Sequence, residues 1–171
     1  MSNFRIQILA TGGTLAKRYD TQLGQLVVDN AGVDDLVARL ALPDVEIHSR
    51  RLLAVDSLDM TAEQRATVAA GVRAHAEDAD AIIIIHGTDT LVDTAKVIEQ
   101  AVPDVAVPVV LTGAMVPFAC AASDALPNVA QAIVACRLLT PGVHVVMHGR
   151  ALNATHAVKD YDAMTFVPAA D

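Results

Sequence analysis

The chain reads as an α/β protein, a doubly wound, mostly parallel sheet with helices on both faces, in a single domain. Three observations predict this. Short apolar runs alternate with stretches of helical periodicity, the pattern of repeated βαβ units. The runs are continuously apolar, as in Ala81-Ile82-Ile83-Ile84-Ile85, which suits strands covered on both faces. The 171 residues are 53% hydrophobic but only 3% aromatic, so the core is aliphatic, as expected between helices and a sheet.

Taken in order, Phe4 to Ala10 is the first strand. Lys17 to Asn30 is polar and aperiodic, a loop or loose hairpin over the sheet edge. Val33, Leu36, Val37 and Leu40 recur at helical spacing, with Asp34 and Asp35 placed to suit the positive end of the helix dipole, and Pro43 closes the segment. Val45 to Val55 is a second strand. Thr61 is an N-cap and Gln64 completes a capping box for a helix reaching about Asp78. The Ile82 to Ile85 strand follows, then a helix with Leu91, Ala95, Ile98 and Val102 on one face. Val107 to Leu111 is the next strand, and Leu126, Val129, Ile133 and Cys136 mark a helix with Pro127 in its first turn, where proline is tolerated. Val143 to Met147 is the last parallel strand, and His148 to Asp171 is a less regular tail.

Composition narrows the function classes. A formal net charge of -8 disfavours nucleic acid and anionic membrane as partners. Val105 to Ala122 carries no charge, but Pro108, Gly113 and Pro117 interrupt it, so a short buried strand and a loop are expected instead of a membrane span. The amino terminus enters a strand at once, without the pattern of a signal peptide, and a cytoplasmic location is expected. Cys120 and Cys136 form no CxxC pair and are expected to be buried thiols. The six histidines show no helical metal-binding pair: His144 and His148 are four apart, but on a strand. No metal and no cofactor is expected.

Two loops carry the chemistry. Thr11-Gly12-Gly13-Thr14 follows the first strand and His86-Gly87-Thr88-Asp89-Thr90 follows the isoleucine run. In a parallel α/β sheet, ligands bind outside the carboxyl ends of the strands, so both loops belong at one edge. Each has a plain structural reading. Gly12-Gly13 suits a turn, Thr14 a helix cap, and Asp89 or Thr90 a cap for the following helix. The first loop matches neither GxGxxG nor GxxxxGK[ST], so a phosphate loop is not indicated.

The residues in order also resemble a known family. Ile8-Leu9-Ala10-Thr11-Gly12-Gly13-Thr14-Leu15-Ala16 and His86-Gly87-Thr88-Asp89-Thr90 are similar to the two signatures of bacterial-type L-asparaginases. Asp56-Ser57-Leu58-Asp59-Met60 resembles that family's substrate-binding segment, and Leu111-Thr112-Gly113-Ala114-Met115-Val116-Pro117 its Gly-Ala-Met-Arg-Pro loop, followed by a similar helix start from Asp124 to Asn128. The resemblance implies the amino-terminal domain of such an enzyme over residues 1–171.

What it implies about roles is definite. Thr14 would be the nucleophile, with Tyr19 beside it. Thr88, Asp89 and Lys159 would form a second catalytic cluster, although Lys159 by itself also reads as a surface lysine. Ser57 and Asp89 would hold the α-carboxylate and α-amino groups of L-asparagine, with Asp56, Gly13, Gly87 and Ala114 completing the substrate site. A threonine hydroxyl needs a neighbouring base, a lysine beside a carboxylate can relay a proton, and backbone amides of the Gly-Thr loops can hold an oxyanion. The implied products are L-aspartate and ammonia.

Three departures from the family accompany the match. Leu58 stands where a substrate-binding glutamine is usual and Val116 where an arginine is usual. The family's chain is about twice as long, and its second domain lends a carboxylate to the neighbouring subunit's site; this chain resembles short-chain members made of the first domain alone. Weak substrate affinity is expected, as is assembly into a homodimer or homotetramer. Two other readings stay open, a binding domain without turnover and a regulatory partner of a larger amidotransferase.

Overall fold

The computed structural model describes residues 3–170. Its elements are β1 (Phe4–Gly12), β2 (Lys17–Asp20), β3 (Gln25–Val28), α1 (Ala31–Arg39), β4 (Val45–Val55), α2 (Ala62–His75), β5 (Ala81–Ile85), α3 (Leu91–Ala101), β6 (Pro108–Thr112), α4 (Ala125–Cys136), β7 (Gly142–Met147), β8 (Arg150–Asn153), β9 (Ala157–Asp160) and β10 (Thr165–Pro168). Short 3-10 turns cover Thr14–Ala16, Ser57–Asp59 and Ala154–His156.

Six strands form the central sheet in the order β4-β1-β5-β6-β7-β8. The first five are parallel, and β8 adds an antiparallel edge to β7. Continuous apolar runs make this arrangement stable, because both faces are covered. On β5, Ile82 and Ile84 enter one core with Leu9, Val72 and Ile98, whereas Ile83 and Ile85 enter the other with Leu36, Val129 and Ile133. Helices α2 and α3 therefore cover one face and α1 and α4 the other. From β1 the chain moves to one side to make β4, then crosses back to make β5 on the other. The crevice between the carboxyl ends of β1 and β5 is the topological switch point, where ligands bind in such sheets.

The Thr61 capping box forms as expected: the Gln64 amide donates to Thr61 Oγ1 at 3.2 Å and the Thr61 amide to Gln64 Oε1 at 2.9 Å. The Lys17 to Asn30 segment is a hairpin, β2 paired with β3. Two expectations fail. Cys120 is exposed, because it lies in the loop before α4; only Cys136 is buried, and burial pushes its thiol up to about 12. The tail is regular: β8 joins the sheet, and β9 pairs with β10 in a hairpin whose Phe166 is fully buried.

Candidate active site

The two Gly-Thr loops meet backbone to backbone. Gly13 sits at φ 75°, and its amide donates to the Val55 carbonyl at 2.9 Å. A side chain there would run into the backbone of His86 and Gly87. Position 13 thus needs glycine for its conformation and for the close approach. A Cβ at Gly87 would lie 2.6 Å from both Cβ and Oγ of Ser57. Three chain segments ending β1, β4 and β5 are packed together by having no side chains between them. Thr14 opens the turn just beyond this contact and is half-buried.

Lys159 reaches the same place from β9. Its Nζ donates to Thr88 Oγ1 at 2.8 Å and to Asp89 Oδ1 at 2.7 Å, with the lysine side chain only 8% exposed. The Thr88 hydroxyl, accepting a hydrogen bond from Lys159, donates its own toward Met115 Sδ at 3.6 Å. The surface reading of Lys159 is therefore excluded by its burial and partners. Neither expected cap forms. Thr90 occupies the N-cap of α3 without a side-chain bond to the helix, and its hydroxyl donates to the Ser57 carbonyl at 2.7 Å. The first amides of α3 are left without a side-chain acceptor, and Thr90 instead ties the second loop to the Ser57 turn.

A buried chain supports the second loop from behind. His86 Nδ1 donates to the Gly87 carbonyl at 2.8 Å, which leaves Nε2 as the acceptor for Thr94 Oγ1 at 2.8 Å. Arg65 Nη1 donates to Thr94 Oγ1 at 2.8 Å. Burial pulls the His86 pKa down to about 4, so the ring is neutral at pH 7.

The third loop is pinned by Asp124. Its carboxylate accepts from the amides of Met115 and Val116 at 3.0 and 2.9 Å, from Asn128 at 2.9 Å and from His148 Nε2 at 2.9 Å. Burial opposes the charge, but these donors prevail and hold the carboxyl below its ordinary range. Asn128 also donates to the Gly113 carbonyl at 3.1 Å, and His148 Nδ1 meets Thr165 Oγ1 at 2.9 Å. Ala114 is buried beneath this clamp.

The remaining expected residues are placed unevenly. Ser57 is buried, and its hydroxyl has no hydrogen-bond partner among the described residues. Asp56 is already engaged: it accepts from the Leu58 amide at 3.2 Å and pairs with Lys17 at 2.6 Å. The Lys17 hydrogen bond holds its carboxyl below the ordinary range. Tyr19 lies on the same face of β2 as Lys17, is 59% exposed, and has its hydroxyl toward Gly24. Leu58 is 71% exposed beside the site. Sequence reasoning missed the roles of Arg65, Thr94 and His148. Thr94 carried a signal, as a polar residue on the otherwise apolar face of α3.

The family model described as asparaginase, N-terminal, matches residues 5–165. The chain belongs to the asparaginase family. It is 30% identical over 158 residues to the L-asparaginase of Thermococcus kodakarensis, covering 91% of this chain and 47% of that protein. It is 35% identical over 146 residues to one of the subunits of the glutamyl-tRNA(Gln) amidotransferase of Methanococcus vannielii, covering 84% of this chain and 34% of that one. The solved thermostable L-asparaginase from Thermococcus kodakarensis superposes with a TM-score of 0.83 at 27% identity, over 96% of this chain and 51% of that chain. This asparaginase-family domain thus spans about half or less of the relatives it matches. Among the described residues, no helix is long and apolar enough to cross a membrane, and no group of His, Cys, Asp and Glu side chains is arranged to hold a metal.

Proposed function

We propose that the domain hydrolyses L-asparagine to L-aspartate and ammonia, with Thr14 as nucleophile. The observation that carries this reading is the contact of the two Gly-Thr loops at the switch point, with a buried lysine bonded to Thr88 and Asp89. Thr14 Oγ attacks the side-chain amide carbon, its C–O bond forms, and the C–N bond breaks with the hydroxyl proton delivered to the departing nitrogen. The Thr88–Lys159–Asp89 cluster carries protons in this exchange and then serves the water that cleaves the acyl-enzyme. Backbone amides of the Gly13 and Gly87 loops hold the oxyanion. Lys159 takes one oxygen of Asp89, and the other serves the substrate's α-ammonium. The unpartnered Ser57 hydroxyl supports a role toward the α-carboxylate, since a buried donor gains most when a ligand satisfies it. Gly13, Gly87 and Ala114 shape the pocket, and Tyr19 closes over it when substrate binds.

The likeness to part of an amidotransferase favours a second reading, a domain that works within a larger complex. Ammonia release from asparagine, glutamine and D-asparagine by the purified protein separates the two. Turnover of L-asparagine is expected. Thr14→Ala is expected to lower kcat by about 10³-fold or more, with unchanged circular dichroism. Near-wild-type ammonia release by this variant removes Thr14 as nucleophile, and binding of asparagine without turnover by the wild type favours the second reading.

A further inference from the structure

We infer that Tyr161 is a positioning residue for Lys159, its ring holding the ammonium on Thr88 and Asp89 and screening it from water. This rests on the reading of Lys159 as the proton carrier. An ammonium has three donors. Two go to Thr88 Oγ1 and Asp89 Oδ1. The third side is taken by an aromatic face: Nζ lies 4.7 Å from the centroid of the Tyr161 ring, within the range of a cation–π contact. The ring is aimed there by the turn that follows β9. Asp160 Oδ1 accepts from the amides of Asp162 and Ala163, both at 2.9 Å, and this fixes the chain just beyond Tyr161.

Exposure supports the assignment. Tyr161 is 61% exposed, whereas the lysine side chain beneath it is 8% exposed. The tyrosine is not a core residue, and no hydrogen bond to its hydroxyl from the described residues accounts for its place. Lys159 and Tyr161 both line a cavity of about 240 Å³ that reaches Asp89, Asp93 and Lys96. This cavity is the side on which the ring stands between Lys159 and solvent. Without the ring, the ammonium gains a competing solvent partner and spends less time on Thr88.

The test compares the wild type with Tyr161→Ala and Tyr161→Phe. Reductive methylation followed by mass spectrometry reads the accessibility of Lys159, with half-buried Lys17 on the β2–β3 hairpin, away from this cavity, as the internal reference. Tyr161→Ala is expected to raise Lys159 labelling about three- to fivefold and to lower kcat for asparagine by a similar factor, with KM unchanged. Tyr161→Phe keeps the ring face and is expected to behave as wild type in both. Unchanged labelling or unchanged kcat in Tyr161→Ala overturns the proposal, as does a phenylalanine variant as defective as the alanine one. If the wild type has no turnover, the asparaginase reading fails, and the labelling comparison still decides whether the ring covers the lysine.

Discussion

His86 shows how a residue can serve the site without touching substrate. Its ring is buried and neutral, and it links Arg65 and Thr94 to the carbonyl of Gly87. Its pKa is about 4 when folded and near 6.5 when unfolded, so between these values the unfolded chain binds the extra proton. Stability from this group is whole above pH 6.5 and is lost as pH falls toward 4, by about 3 kcal/mol at most. The lowered carboxyls of Asp56 and Asp124 act in a separate window, below their unfolded values near 3.8. Urea unfolding between about pH 7 and pH 4.5 is expected to show a steeper loss for the wild type than for His86→Gln, whose side chain does not titrate; parallel slopes contradict the assignment. The motif residues were legible at this scale because strand ends and glycine turns leave a local mark. Lys159 was legible only through its resemblance to a family pattern, since its partners lie 71 and 70 residues away. Asp124 was legible only as the start of a helix, and its pairing with His148 left no mark, because neither position has a local pattern that names its partner.

Among the elements, the parallel strands and the helices followed from the sequence because each carries its own period. β4 has the bounds expected of it, β5 begins one residue earlier than expected, at Ala81, and the capping box fixes the start of α2. The tail was read as irregular because β8, β9 and β10 are four-residue strands, too short to show alternation, and β10 carries a proline. The glycine contacts between elements predict an ordered pair of effects. Gly87→Ala forces a Cβ onto Ser57 without adding backbone strain, an overpacking cost of about 1–3 kcal/mol. Gly13→Ala meets backbone and also carries φ 75°, so it is expected to cost about 1–2 kcal/mol more than Gly87→Ala. Thermal denaturation of the two variants measures the order, and equal losses contradict the view that position 13 needs glycine for two reasons.

For the whole molecule, the distribution of exposed apolar side chains decides the last expectation. Tyr19, Leu23 and Leu26 project from the β2–β3 hairpin, and Val158 and Met164 from the β9–β10 hairpin. Leu58 is exposed on the turn after β4, next to Asp56, which pairs with Lys17 of the first hairpin. Both hairpins stand at the edge of the sheet that carries Thr14 and Thr88, tied to it by Lys17–Asp56 and Lys159–Asp89. Leu42, Val134 and Leu138 are exposed elsewhere on the molecule, but this group forms a rim bordering the loops of Thr14 and Thr88, and grouped exposed apolar residues mark interaction surfaces. We propose that a second copy of the chain covers this rim, giving a homodimer or a homotetramer of closed symmetry in which the neighbouring chain helps to close the site. Light scattering at working concentrations is expected to give two or four times the mass of one chain. Leu23→Glu with Leu26→Glu is expected to shift the mass to that of the monomer and to raise KM more than it lowers kcat, because the substituted residues shape the cover and not the reacting groups. A wild-type monomer that turns over asparagine fully would show that the β2–β3 hairpin closes the site by itself. In that case the exposed leucines fold down on the chain's own pocket, and the double substitution raises KM without any change in mass.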